Sequence, residues 1–163
     1  MSDYRCEKAR AARECTRNMR EMLLGYRAVL EDALREEGLT LPQLRLLKAI
    51  QEHGGASGAS IARSCQVTPQ TLQAMLTRAV REKWVVRETS EHNHRILTPS
   101  LTPNGERLLE RGVETAASVE AQIWAGVSVS DINLVNETFS RGLANLHNLT
   151  RRGESSAASA GVS

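Results

Sequence analysis

The polar residues between Thr68 and Lys83 have the chemistry and spacing of a surface that binds nucleic acid. The hydroxyl of Thr68 can cap a helix, and Pro69 follows at the first helical position, where its missing N–H costs nothing. Side chains that hydrogen-bond base edges and phosphates occupy the following positions: Gln70, Thr71, Gln73, Thr77, Arg78 and Arg81. Taken alone, this segment could equally be an ordinary amphipathic helix that covers a core. The elements on either side of it decide between that interpretation and a nucleic-acid-binding helix.

The same segment has an apolar side, and two shorter helices precede it. Thr40 and Gln43 have capping-box spacing, Gly54–Gly55 end that helix, and Ser57 can cap the next one. Gln66–Val67 form a tight turn into the polar helix. The order of helix, turn and polar-faced helix predicts a helix-turn-helix. The apolar stripe of the polar-faced helix consists of Leu72, Leu76, Ala79 and Val80.

A change of periodicity after the polar helix predicts a β-hairpin. Residues Trp84–Arg87 begin one strand-like run and Ile96–Leu101 form a second, and the six polar residues Ser90–Arg95 between the runs are the predicted loop. Pro99 makes the second run an edge strand. A hairpin after a helix-turn-helix is typical of a winged helix.

Long helices are expected at both ends of the chain. Residues 3–37 predict one helix that Gly38 ends, Thr102-Pro103 begins another, and Ser128 begins the last. Their apolar stripes exceed what one small winged domain can cover, which favours pairing with a second chain. In the first helix, the stripe consists of Cys15, Met19, Met22, Leu23, Tyr26, Leu30, Ala33 and Leu34.

The predicted fold class is mostly α with a small β-hairpin wing, an α+β winged helix with dimerisation helices from both termini. The predicted parts are an N-terminal dimerisation helix (1–39), a winged helix-turn-helix (40–102), C-terminal dimerisation helices (103–150) and a disordered tail (151–163). The tail is predicted because its small polar residues offer too little apolar surface to fold.

Charge and cysteine content narrow the possible classes of protein. Residues 42–100 contain eight Lys and Arg against four Asp and Glu, a basic excess that fits contact with a polyanion. No apolar run is long enough for a membrane span and no signal segment begins the chain, so we expect a cytoplasmic protein without a membrane partner. The scattered cysteines and histidines predict no disulfide framework, metal or other cofactor.

The chain resembles the MarR family of bacterial transcription regulators. The matching segments are LTLPQLRLLKAI, SIARSCQVTPQTLQAMLTRAVREKWVVR and SLTPNGERLL. The most specific element is a Leu-Thr-x-x-Gly-x-x-Leu-Leu motif after the hairpin, formed by Leu101, Thr102, Gly105, Leu108 and Leu109. The resemblance covers roughly residues 20–149.

The resemblance implies a homodimer that binds a pseudo-palindromic DNA operator, usually as a repressor released by a small ligand or an oxidant. A two-fold dimer would place two recognition helices about 34 Å apart, one DNA turn.

The resemblance also implies which residues contact DNA. Where the wing of the family usually reads Asp-Arg-Arg, this chain has Asn93, His94 and Arg95. We expect either an attraction to the minor groove that is weaker at neutral pH and stronger in acid, or a wing that merely reaches the phosphates less well. Lys83 stands where the family tends to have a helix-ending glycine, and Ala74 where many members have arginine. The expected DNA-binding residues are Thr68, Gln70, Thr71, Gln73, Thr77, Arg78, His92, His94 and Arg95.

Two effector sites are implied by the family layout. A small-molecule pocket near Met19, Met22, Tyr26 and Leu44 is one, although the same residues would suit a plain dimer core. Redox sensing through Cys15 is the other, but the tyrosine that accompanies such a cysteine in relatives is replaced by Leu41.

Two other classes compete with a DNA-binding regulator. An enzyme is not expected, because no glycine-rich elbow or pair of carboxylates accompanies the cysteines and histidines. A dimeric interaction module with weakened DNA binding is the second rival, since His94 stands where the family's wing has the first of its two arginines. The salt dependence of DNA binding separates it from a regulator.

Overall fold

The computed structural model describes the backbone of residues 2–53, 58–90 and 93–160, and the side chains within 6–53, 58–87 and 98–150. The chain divides into two units, Met1–Ile123 and Trp124–Ser163. In order, the elements are α1 (Ser2–Glu36), α2 (Leu41–Glu52), α3 (Gly58–Cys65), α4 (Pro69–Arg81), β1 (Val85–Ser90), β2 (Asn93–Leu101), α5 (Pro103–Ile123) and α6 (Val129–Ala160). This order confirms the predicted winged helix with long helices at both ends.

The core of the first unit lies where α2, α3, α4 and α5 meet the C-terminal half of α1. Leu34 and Leu47 are fully buried there. A Cβ atom on Gly112 of α5 would lie 2.8 Å from a methyl group of Leu44, so the absence of a side chain lets α5 approach α2 closely. The largest fully buried side chains are Leu34, Leu39, Leu46, Leu47, Ile61, Leu72 and Val85.

The predicted helix stop at Gly38 and the predicted caps at Thr40 and Ser128 are confirmed. Gly38 has φ +72°, the left-handed conformation of a residue that ends a helix. Thr40 N donates to Gln43 Oε1 at 2.8 Å, as a capping box requires. Asp131 N donates to Ser128 Oγ at 3.1 Å at the start of α6. The expected stop at Gly54–Gly55 and cap at Ser57 lie outside the described residues.

The hairpin is longer than the sequence pattern predicts. β1 pairs with β2 in antiparallel register from Val85 opposite Leu101 to Ser90 opposite Asn93, with an irregularity between Thr89 and Ser90. The strands therefore extend into the polar stretch expected to be a loop. Backbone pairing accounts for the difference, because hairpin hydrogen bonds do not require apolar side chains.

Lys83 adopts a conformation that favours glycine. It follows α4 with φ +60°, and Trp84 N donates to Ala79 O at 2.9 Å across the helix end. A side chain costs about 1–2 kcal/mol in this region. The position matches the family's helix-ending glycine, so the backbone keeps that geometry although the residue differs.

Replacing Lys83 by glycine should stabilise the protein by about 0.5–1 kcal/mol, because relief of the left-handed strain exceeds the added chain entropy of glycine. Urea unfolding of the two proteins measures the difference. Lys48→Gly is the matched control: Lys48 is an exposed lysine within α2, where glycine should cost about 1 kcal/mol. Destabilisation by both substitutions would contradict the prediction.

The second unit contains α6. Exposed apolar side chains extend along this helix and include Leu134, Phe139, Leu143, Leu146 and Leu149. The backbone is helical through Ala160, so the prediction of a disordered tail from residue 151 differs from the structure. The segment contains no proline and has several alanines, and a helix already formed elongates at little cost.

Candidate nucleic-acid interface

Helix α4 presents one polar and one apolar side, as the sequence predicts. Leu72, Leu76 and Ala79 are buried against the core. Val80, placed on the same stripe by its spacing, is instead 39% exposed because it lies at the edge of the buried arc. The predicted contact residues of the helix are all exposed: Thr68, Gln70, Thr71, Gln73, Thr77 and Arg78.

The start of α4 is held by the threonine cap that the sequence predicts. Thr71 N donates to Thr68 Oγ1 at 3.2 Å, and the two hydroxyls lie 2.9 Å apart. Gln66 precedes the cap with φ +55°, which turns the chain sharply from α3 into α4. Thr77 Oγ1 donates to Gln73 O at 2.8 Å within the helix. These bonds fix the direction in which the polar face points.

Arg87 is a residue of this surface that the sequence interpretation missed. It lies on β1, and its Nη2 donates to Gln73 Oε1 at 3.0 Å. The two side chains join the hairpin to α4 on the exposed side. An arginine in the strand that directly follows a recognition helix was the available signal, but strand periodicity alone does not show what it contacts.

Arg78 and Arg81 differ in their charge environment. Arg81 Nη2 lies 3.2 Å from Glu82 Oε1, whereas Arg78 has no ion pair among the described side chains. Arg78 also lines a cavity of about 180 Å³ that is mainly apolar and reaches Pro42, Met75 and Trp84. Arg78 is thus the arginine of α4 whose charge is least compensated.

The predicted wing contacts are described only in part. His94 and Arg95 belong to strand β2 rather than to a loop, and their side chains lie outside the described residues. His92 lies outside them entirely. Their contribution to DNA binding stays a prediction.

A larger cavity of about 590 Å³ lies among α1, α2 and α5. Tyr26 and Leu44 line it, as predicted, but Met19 and Met22 do not. Both methionines are exposed farther along α1, by 48% and 41%, because α1 extends beyond the helices that enclose the cavity. Three cationic residues also line this cavity: Arg27, Arg45 and Lys48.

A hydrogen bond crosses one end of this cavity. Tyr26 OH donates to Glu120 Oε1 at 3.1 Å. Burial raises the pKa of Tyr26 above its usual 10.0, and the hydrogen bond and the negative charge of Glu120 raise it further. The phenol therefore stays protonated at neutral pH and keeps α1 connected to α5.

The three cysteines have different environments. Cys6 and Cys15 are exposed, while Cys65 is buried. The Cys65 thiol donates to Arg45 O at 3.7 Å, and burial raises its pKa despite the opposing charge of Arg45. A buried, protonated thiol is a poor nucleophile, so the environment of Cys65 favours packing over thiol chemistry.

Cys65 should therefore react with a water-soluble disulfide reagent far more slowly than Cys6 in the native protein, because the reactive thiolate is neither exposed nor favoured. Mass spectrometry of labelled peptides over time measures the three rates. Adding denaturant should bring the rate of Cys65 to that of Cys6. Equal native rates would show that α3 opens readily and would contradict the prediction.

Within the described residues, no group of three or more His, Cys, Asp and Glu lies close enough to hold a metal ion. Across the same part of the chain, no helix combines the length and apolar character needed to cross a bilayer.

The fold and the exposed polar face of α4 define a winged helix-turn-helix protein of the DNA-binding class. A model of the MarR family matches residues 37–96. The HTH-type transcriptional repressor Rv2887 of Mycobacterium tuberculosis strain H37Rv is 32% identical over 93 residues, which cover 57% of this chain and 67% of that protein.

Solved structures of transcription regulators share this fold. The MarR family transcription regulator SP03579 superimposes with a TM-score of 0.76 at 21% identity, over 87% of this chain and 96% of that chain. Rv2887 in complex with salicylic acid gives a TM-score of 0.60 at 27% identity, over 78% of this chain and 92% of that one. The chain belongs to the MarR family of transcription regulators.

Proposed function

We propose that the protein is a homodimeric repressor that binds a pseudo-palindromic operator and releases it when a small ligand binds. The observation that carries the proposal is the outward face of α4, where the leucines are buried and the glutamines and threonines are exposed. Arg78 is exposed on the same face and has no ion pair among the side chains that the structure describes. Such side chains hydrogen-bond base edges in the major groove. The repressor Rv2887 supports the direction of regulation.

A fluorescence anisotropy titration tests the DNA-binding step. Duplexes selected from genomic fragments should bind more tightly than random duplexes, and the affinity for both should fall steeply as salt rises, because counterions are released from phosphates. Binding without salt dependence or sequence preference would instead support the interaction-module alternative.

The homodimer is supported by apolar surface on both terminal helices. In α1, Leu23 is 65% and Leu24 63% exposed, and in α6 the exposed leucines and Phe139 continue the pattern. Soluble monomers rarely leave large apolar patches uncovered. Sedimentation equilibrium at micromolar concentration should give twice the chain mass of 17.9 kDa. A single-chain mass across the accessible concentration range would overturn the dimer.

A small aromatic acid is the class of ligand that the larger cavity favours. Its walls include Leu30, Leu41 and Leu44, which suit a ring, and Arg45 and Lys48, which suit a carboxylate. The salicylic acid complex of Rv2887 is consistent with this choice. Calorimetric titration with salicylate should show binding that weakens in Arg45→Ala, and salicylate should release DNA. No binding by the wild-type protein would overturn this ligand class.

Oxidation of Cys15 is a second possible trigger, because its thiol is exposed in the single chain. Gel shifts with and without peroxide test it. Cys15→Ser should abolish release by peroxide, whereas Cys6→Ser should retain it. Unchanged release in Cys15→Ser would exclude the Cys15 route without affecting the proposed repressor.

A further inference from the structure

The side chain of Gln73 lies between two elements that flank α4. On one side, Arg87 of β1 donates from Nη2 to Gln73 Oε1 at 3.0 Å. On the other, a Cβ atom on Gly58, at the start of α3, would lie 3.9 Å from Gln73 Nε2. Both Gln73 and Arg87 are exposed. The hydrogen bond from the hairpin therefore orients the amide group, and α3 passes near its nitrogen.

The chemistry of the guanidinium group determines which way this amide points. Arginine offers only N–H donors, so the oxygen of Gln73, not its nitrogen, must face Arg87. An unrestrained glutamine can pair with adenine by using its oxygen and its nitrogen together. Here the oxygen edge is turned toward Arg87, and what Gln73 offers to a ligand is the N–H groups of its amide.

We propose that Arg87 is a positioning residue that orients Gln73, so that the amide N–H groups of Gln73 read hydrogen-bond acceptors in the major groove. Guanine presents two such acceptors, N7 and O6, whereas adenine presents one acceptor and one donor there. The inference rests on the proposed function, in which α4 contacts the bases. It adds that the first strand of the hairpin sets the base preference of the recognition helix.

Selection from a randomised duplex library tests the proposal, using the wild-type protein, Arg87→Ala, Gln73→Ala and the double variant. The wild-type motif should contain a guanine that Gln73→Ala makes degenerate. Arg87→Ala should reduce the preference for that guanine over adenine about 10-fold, the value of roughly one specific contact. The double variant should match Gln73→Ala, because Arg87 acts through Gln73. Other positions of the motif should not change.

Two further measurements separate positioning from a phosphate contact. Arg87→Lys keeps the charge but not the planar fork, so it should lose the guanine preference while retaining the salt slope. Arg35→Ala, which removes an exposed arginine from α1, should alter neither. Thermal unfolding should be nearly unchanged in the Arg87 variants, since both partners are exposed.

Four outcomes would overturn the proposal. One is a uniform loss of affinity in Arg87→Ala with the motif intact and the salt slope reduced by about 1, which is the signature of a phosphate contact. Another is an effect of Arg87→Ala that persists undiminished in the Gln73→Ala background. Failure of the wild-type protein to enrich any motif would overturn the proposed function and this inference together, whereas a motif insensitive to Arg87 overturns the inference alone.

Discussion

Replacing Gly105 by alanine is expected to destabilise the protein by about 3 kcal/mol, near the upper end for overpacking a rigid site. A Cβ atom there would lie 2.9 Å from the carbonyl carbon of Trp84 and would contact its oxygen still more closely. Backbone atoms cannot rotate away as a side chain can. For a chain of this length, the melting temperature should fall by roughly 10 °C, which calorimetry measures.

The hydrogen bonds around Gly105 explain why the approach is so close. Thr102 Oγ1 donates to Lys83 O at 2.7 Å and accepts from Gly105 N at 3.0 Å, while Thr102 N donates to Trp84 O at 3.0 Å. The Leu-Thr-x-x-Gly-x-x-Leu-Leu motif, which contains Thr102 and Gly105, therefore joins the start of α5 to the segment between α4 and β1. An alanine at Gly105 must break part of this arrangement.

Gly25→Ala is the matched control for this substitution. Gly25 lies within α1, and a Cβ atom there would meet nothing within 4 Å. Because alanine is the better helix former, the control should be neutral or stabilising by up to about 1 kcal/mol. If Gly105→Ala unfolded at the same temperature as the wild type, the close approach would not be a constraint on the fold.

Local signals in the sequence predicted most of the fold. The threonine caps at Thr40, Thr68 and Thr102 act within a few residues of each helix start, and a cap depends on little else. The stripe of Leu72 and Leu76 likewise follows from helical geometry. Such features are decided by neighbours along the chain, so the order of helices and the exposed face of α4 could be predicted from the residues alone.

Features that depend on contacts between distant parts of the chain could not be predicted from the sequence. The contact of Arg87 with Gln73 joins residues 14 positions apart in different elements, and no periodicity indicates it. The left-handed conformation of Lys83 follows from the connection between α4 and β1, which overrides the residue's own preference. Which part of α1 is enclosed depends on where α5 packs. The spacing of apolar residues along α1 therefore could not show that Tyr26 lines the cavity and Met19 does not.

Arg78→Ala should weaken binding to the selected operator about 10- to 100-fold, with a much smaller effect on random DNA. One specific contact by arginine to a guanine edge contributes roughly 1–3 kcal/mol of discrimination. The guanidinium of Arg78 is exposed on α4 and has no ion pair among the described side chains, so no internal partner has to be released before it binds. Anisotropy titrations with operator and random duplexes at several salt concentrations measure the two effects separately.

Arg35→Ala removes the same charge from an exposed position on α1 and is the matched control. Arg35 Nη1 lies 2.7 Å from Asp32 Oδ1 in a pair that is largely exposed, and such pairs contribute little to stability. The control should bind both duplexes as the wild type does. If the Arg78 variant lost affinity for operator and random DNA in equal measure, Arg78 would contact phosphates, and base recognition would have to lie with the glutamines of α4. Retention of full operator affinity would instead exclude Arg78 from the interface, because removing an arginine that contacts a base or a phosphate must lower the affinity for DNA.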